Sequence, residues 1–227
     1  MKLRFEVTGA EPVVVEPKQL VIAGWTGRDR AAIDHHIEEL AAIGVPRPST
    51  VPLYYRVAAS LLTQAPQIEV LGPGSSGEVE PVLVRAQGSW WLTVGSDHTD
   101  RDAERAGVAL SKQLCAKPIA AQAWDWDALA IRADTIGLRS EIFEHGHWVR
   151  YQDGTLASIR PLAQLIAGLP ADASVVDGLV LFCGTLGAWP DASGRGVRPA
   201  ARMRLHLIDG SLTLTHEYAT TALPQAA

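Results

Sequence analysis

The run Ser89-Trp90-Trp91-Leu92-Thr93-Val94 lies one short turn, at Gln87-Gly88, beyond the segment that begins Gly77-Glu78-Val79-Glu80. That arrangement predicts two strands returning side by side, and it commits the middle of the chain to a β-sheet. Successive side chains of a strand point to opposite faces, so Glu78 and Glu80 project together. Asp97, just past the end of the second strand, brings a third carboxylate beside them. An all-oxygen set suits a hard divalent cation, Mg²⁺ first and Mn²⁺ or Ca²⁺ next, rather than zinc, which prefers His and Cys. The competing reading of a Glu-x-Glu pair is a solvated strand face.

The rest of the chain repeats the short-strand theme. Strands are expected at Lys2 to Val7, Pro12 to Val15 and Leu20 to Ala23, then at Leu53 to Val57 and Gln67 to Leu71. Further extended pieces are expected from Pro118 through Arg132, from Leu138 to Trp148, and at Leu179 to Phe182. Arg202 to Ile208 and Leu212 to Tyr218 form a last hairpin across Asp209-Gly210. Helical spacing predicts one helix from Asp29 to Ile43, capped by Asp29 or Thr26, another within Thr99 to Leu114, and a third within Gly154 to Gly168. Many short strands with few helices predict a mixed, mainly β domain rather than a βαβ repeat. One domain over residues 1–227 is expected, with N-terminal strands and a covering helix in 1–50 and the β core in 51–227.

Composition narrows the partners. A net charge of -5 offers no basic field for nucleic acid or an anionic membrane. Cys115 and Cys183 make no disulfide framework, the first residues alternate polar and apolar without a signal-peptide core, and no apolar run is long enough to span a bilayer. A cytoplasmic location is the expectation.

Three further constellations carry chemistry. His36 and Glu39 share one helical face, where the carboxylate could orient the imidazole as a base; the bland reading is a solvated helix face. Lys112 could bring an ammonium to the carboxylates and hold an anionic group, or be a surface lysine. Gly184-Thr185 follows a strand and could present a hydroxyl and a backbone N–H to a substrate carboxylate, without the lysine and spacing of a phosphate loop.

Taken in order, these pieces resemble the fumarylacetoacetate hydrolase family over roughly Leu20 to Gly187. Val21-Ile22-Ala23-Gly24 followed by His36-Ile37-Glu38-Glu39 is similar to the family's Gly-x-Asn-Tyr-x-x-His-x-x-Glu, with a longer insert and no Asn-Tyr. Glu78 and Glu80 match its Glu-x-Glu, and Ser96-Asp97-His98-Thr99-Asp100-Arg101-Asp102 resembles its Asn-Asp-x-Ser-x-Arg-Asp, after which Lys112 stands for the following lysine. Tyr151-Gln152-Asp153-Gly154-Thr155, and then Asp177 to Gly187, resemble its later motifs, without the proline of Gly-Thr-Pro-x-Gly. The whole looks most like an uncharacterised bacterial branch, a domain of unknown function.

The resemblance implies a β-roll, a homodimer, and a divalent metal on Glu78, Glu80 and Asp97. It implies a small anionic 2-oxo or 1,3-dicarbonyl acid, with Arg101, Gln152, Gly184 and Thr185 binding it and His36, Glu39 and Lys112 catalysing hydrolysis of a C–C bond. Decarboxylation or tautomerisation by the same site, and a non-catalytic metal or ligand binder, are the alternatives.

Overall fold

Unbroken apolar runs form strands covered on both faces, and alternating runs form strands covered on one; this difference sorts the chain into two sheets. The computed structural model describes residues 1–42, 47–173 and 175–224, with the side chains of residues 36, 39 and 40 outside that description. The first elements are β1 (Leu3–Val7), β2 (Val13–Val15), β3 (Gln19–Gly24), helix α1 (Arg30–Ala42), β4 (Leu53–Val57), β5 (Leu62–Thr63) and β6 (Gln67–Leu71). The middle holds β7 (Ser75–Ser76), β8 (Val79–Ala86), β9 (Ser89–Ser96), β10 (Thr99–Asp100), α2 (Val108–Gln113), β11 (Lys117–Pro118), β12 (Gln122–Asp125) and α3 (Trp126–Leu129). The last part holds β13 (Gly137–Glu144), β14 (His147–Thr155), α4 (Leu162–Ala167), β15 (Leu179–Phe182), β16 (Arg202–Asp209) and β17 (Leu212–Leu223).

An eight-stranded sheet runs β2-β1-β12-β9-β8-β15-β3-β4, and a five-stranded sheet runs β14-β13-β16-β17-β6. Strand β8 is covered on both sides: Val79 and Leu83 enter one core with Leu205, Leu207 and Tyr218 of the second sheet, while Val82 and Val84 enter another with Phe5, Val13 and Phe182. The eight-stranded sheet thus curls around the second core and packs its outer face on the five-stranded sheet, with β2 reaching across to β8. The expected mainly β class is what the chain adopts. Among the described residues no helix is long and apolar enough to cross a membrane.

Several boundaries differ from the sequence expectation, each for a local reason. The helix expected within Gly154 to Gly168 is the short α4, preceded by a strand end and a 3-10 turn at Leu156–Ser158, because Pro161 cannot continue a helix from Arg160. The extended piece expected through Arg132 turns helical at Trp126, where the Asp125 carboxylate accepts from the Asp127 N–H and caps the turn. The extended stretch expected from Leu138 to Trp148 is the turn of a hairpin with its flanking strands, since His145 and Gly146 take positive φ between β13 and β14. Thr99-Asp100 pairs with Ser75-Ser76, and the Asp100 carboxylate then accepts from the N–H groups of Asp102 and Ala103, both at 3.0 Å, where the chain enters a 3-10 turn; Gly107, at φ 156, separates that turn from α2. Of the two caps expected for α1, Asp29 serves, accepting from the N–H groups of Ala31 and Ala32 at 2.9 and 3.2 Å.

Candidate functional site

The β8–β9 register sets Glu80 opposite Gly95 and Val79 opposite Ser96, so the carboxylates expected at the strand ends do meet at one end of the sheet. The backbone locks them there. The Asp97 N–H donates to the Glu78 carbonyl at 3.0 Å, and the Glu78 N–H donates to Ser96 Oγ at 3.1 Å. Tyr218 Oη donates to the same Ser96 Oγ at 2.9 Å and lies 3.0 Å from His98 Nδ1, whose other nitrogen is 3.0 Å from Ser75 Oγ. Burial, and then the Lys117 charge, push the His98 imidazole down to about 3, so it stands neutral in this network. Ser96, His98 and Tyr218 thereby hold the loop that carries Asp97.

Glu80 and Asp97 are both buried, at 3% and 0% exposure. Burial and the neighbouring Asp97 charge raise the Glu80 carboxyl well above its ordinary range. Burial would raise Asp97 too, but the Lys112 and Lys117 ammoniums overcome it and hold Asp97 low. Lys112 donates to Asp97 Oδ2, and its ammonium lies 5.6 Å from the Tyr55 ring centroid. The charges of Asp97, Glu78 and Glu80 together outweigh its burial and hold Lys112 protonated. Arg101 Nη2 stands 3.0 Å from Glu78 Oε2, while its Nε donates to Ser76 Oγ at 2.7 Å and its Nη1 to Glu104 at 3.1 Å. Trp25 Nε1 reaches Tyr55 Oη at 3.3 Å and closes this side.

The Gly184-Thr185 turn serves the carboxylates from the other side. The Gly184 N–H donates to Glu80 Oε2 at 2.7 Å, and Gly184 has φ 97 with its Cα packed on Thr26, so a side chain there would collide with the threonine. Thr185 Oγ1 donates to the Val79 carbonyl at 2.7 Å. Gln152, fully buried, accepts from the Val79 N–H and from Ser140 Oγ, both at 2.9 Å, and donates to Thr185 Oγ1 and the Leu186 carbonyl, both at 2.7 Å. Both faces of that amide are used by the chain itself, so Gln152 splices β14, β8 and the turn together.

Sequence reasoning missed Lys117, because a lysine in Cys-Ala-Lys-Pro carries no signal of burial. It is fully buried on β11, and its Nζ donates to the carbonyls of His98 and Lys112 at 2.5 Å each and of Cys115 at 3.0 Å, 3.5 Å from Asp97 Oδ1. The expected His36 and Glu39 lie on α1, but their side chains fall outside the described residues.

The donor set suits a hard cation in kind: three carboxylates bear on one point, and Asp97 Oδ1 is buried without a hydrogen-bond donor. Among the described residues, however, no three Asp, Glu, His or Cys side chains stand as a ready metal cluster. The charge at that point is the Lys112 ammonium, with Arg101 drawing on Glu78.

A family profile described as a protein of unknown function (DUF2848) matches residues 23–218. No protein of curated function matches the chain in sequence. Among solved structures, Cg1458 with inhibitor superposes with a TM-score of 0.66 at 14% identity, over 98% of this chain and 90% of that one. 2-Keto-3-deoxy-D-arabinonate dehydratase complexed with magnesium and 2,5-dioxopentanoate gives 0.60 at 14% identity, over 93% and 77%. 4-Oxalocrotonate decarboxylase from Pseudomonas putida G7, complexed with calcium and acetate, gives 0.52 at 14% identity, over 88% and 76%. At this identity the likeness is one of fold.

Proposed function

The chain belongs to the DUF2848 family of proteins of unknown function and has the fumarylacetoacetate hydrolase-like fold, and from that premise we propose that it is a divalent-metal-dependent enzyme of small 2-oxo or 1,3-dicarbonyl acids. The observation that carries the reading is the burial of Glu80 and Asp97 around a cationic point at the end of β8 and β9, with Asp97 Oδ1 facing the Lys117 ammonium at 3.5 Å, beyond a formed hydrogen bond. Buried carboxylates need cationic company, and charged groups collected at such cost to solvation mark sites of chemistry.

Glu78, Glu80 and Asp97 would hold Mg²⁺, Mn²⁺ or Ca²⁺, which when bound supplies Lewis-acid polarisation of an oxo group. The chain's own residues do the rest. Lys112, kept protonated, sits where negative charge would develop on the substrate and pairs with its anionic end. Arg101, once released from Glu78, offers a second cationic donor. Gly184 fixes the Glu80 carboxylate, while Thr185 and Gln152 fix the turn. The Tyr55 ring, hydrogen-bonded by Trp25, keeps water from the Lys112 ammonium. For hydrolysis of a C–C bond, His36 oriented by Glu39 would take the proton of the water that attacks the distal carbonyl. The electron pair of the broken bond is left on the 2-oxo acid fragment, which regains a proton, and two acids are released.

A second reading, cleavage without an attacking water, is favoured by the dehydratase and decarboxylase among the similar structures, one holding magnesium and the other calcium. One experiment addresses both readings. Acylpyruvates and oxaloacetate are supplied with Mg²⁺ or Mn²⁺ to wild type, Glu80→Gln and His36→Ala. Metal-dependent turnover lost in Glu80→Gln supports the site, and further loss in His36→Ala selects hydrolysis. Turnover of oxaloacetate alone, indifferent to His36→Ala, selects the second reading. Calorimetric binding of Mn²⁺ that is equal in wild type and Glu80→Gln overturns the ligand assignment.

A further inference from the structure

On the opposite face of β4 from this site lies a cavity of about 500 Å³, bounded by Thr50, Pro52, Tyr54, Arg160, Gln164 and Pro170, with Leu165 at its base. Side chains alternate along a strand, and Tyr55 packs toward the core inside the curled sheet while Tyr54 packs toward the core between the sheets. The cavity therefore opens away from the carboxylates, between the edge strand β4 and α4. Its walls are held in place: Tyr54 Oη donates to the Leu165 carbonyl at 2.9 Å, and the Arg160 N–H donates to the Thr26 carbonyl at 2.8 Å.

Arg160 is the anomaly in it. Arginines nearby have carboxylates, as Arg28 has Asp134 and Arg56 has Asp172. The Arg160 Nε is buried and without a hydrogen-bond partner, and among the described residues its guanidinium makes neither hydrogen bond nor ion pair. Among the described residues no Asp or Glu lines the cavity. Arg160 thus lines the cavity without the carboxylate that its neighbours have, and its terminal nitrogens are matched to an anion from outside, the partner with which a guanidinium makes its strongest hydrogen bonds. Beside it stand an amide, a phenol and a hydroxyl, and the remaining walls are Pro52, Leu165 and Pro170.

We propose that this cavity is a second binding site, taking the carboxylate of a short-chain monocarboxylic acid on the Arg160 guanidinium, with its apolar body against Pro52, Leu165 and Pro170. The volume lies within the range of small-molecule sites. A planar guanidinium receives a planar carboxylate through two parallel N–H donors, here from its two terminal nitrogens, since the Nε is sealed from solvent. Recognition of this kind is independent of metal at the carboxylate cluster.

The test is calorimetric titration of butyrate, with inorganic phosphate as comparator, in EDTA so that no metal site competes. Wild type and Glu80→Gln are expected to bind butyrate saturably with equal affinity, phosphate more weakly. Arg160→Met, which keeps the aliphatic stem, is expected to bind butyrate at least tenfold more weakly with an unchanged melting temperature. Arg160→Lys keeps the charge without the fork, is expected to lose at least threefold, and serves alone if the methionine variant does not fold. Absence of saturable binding in wild type, equal affinity in both Arg160 variants, or loss of binding in Glu80→Gln overturns the proposal. Tighter binding of phosphate than of butyrate overturns the assignment to carboxylic acids.

Discussion

Lys112 reaches fifteen residues back along the chain to donate its ammonium to the carboxylate of Asp97, and both groups are buried. The contact is a charge balance for a whole cluster, since Glu78 and Glu80 also act on that ammonium. Removing the cation in Lys112→Met leaves carboxylates buried without compensation, which costs about 3–5 kcal/mol. The variant is expected to melt well below wild type in EDTA. Mg²⁺ is expected to raise its melting temperature more than that of wild type, because the ion replaces the lost charge. Equal metal-induced shifts in the two proteins would separate the ion from these carboxylates.

Gly184→Ala tests the other support of Glu80. The residue has φ 97, where a Cβ is strained by roughly 1 kcal/mol, and the new methyl meets Thr26. Pushing the turn back also takes the N–H away from Glu80 Oε2. We expect a loss of about 2–4 kcal/mol in urea unfolding, combining strain with a broken charge-assisted hydrogen bond. Adding Thr26→Ala is expected to return part of that loss but not the share due to φ. A double variant as unstable as the single one would show that contact with Thr26 is not the cause.

The pH dependence of stability has an identifiable contributor at His216, stacked on the Tyr218 ring with centroids 6.0 Å apart and its Nε2 buried without a partner. Burial pushes its imidazole from 6.5 down to about 4. A depressed histidine contributes stability that is complete above the unfolded value and lost as pH falls, because the unfolded chain takes up the proton first. Between pH 6.5 and 4 this one group removes up to about 1.4 kcal/mol per pH unit. His216→Leu is expected to flatten the decline, measured as urea midpoints at pH 7.0 and 5.0, and an unchanged slope would remove His216 from the account.

What the sequence discloses here is what short-range spacing decides. The Gln87-Gly88 turn, at φ 55 and 74, fixes the β8–β9 register, and the register alone brings Glu80 and Asp97 to one end of the sheet. The companions of those carboxylates depend on longer range. Gly184 gives its N–H to Glu80 across 104 positions, and Gln152 spends its amide on Val79, Ser140, Thr185 and Leu186. Expected as ligands of a substrate, both have their polar groups committed to the chain. Period and composition report how a residue faces its own strand, not which distant backbone will claim its donors. The covering helix is legible from its spacing and its Asp29 cap, and α4 lies within the span its spacing indicates, shortened because Pro161 interrupts the helical pattern.

Lys117 makes the last case, because its burial is unexplained by anything around it in sequence and fully explained by three carbonyls that converge on it. His98 lies in the loop that carries Asp97, Lys112 ends the helix that answers Asp97, and Cys115 follows in the turn between α2 and β11. One ammonium thus ties both partners of the Lys112 and Asp97 pair to β11. Burial lowers its own affinity for the proton, and the Asp97 charge resists that. Lys117→Met fills similar space but leaves the three carbonyls without their donor, so a loss of about 3–5 kcal/mol is expected in urea unfolding. Because the same change frees the Asp97 loop, Mn²⁺ affinity is expected to fall about tenfold even at temperatures where the variant is fully folded. A variant that is destabilised yet binds Mn²⁺ as wild type does would confine Lys117 to the fold and leave Asp97 to be positioned by the Glu78 carbonyl, Lys112 and the network of Ser96, His98 and Tyr218.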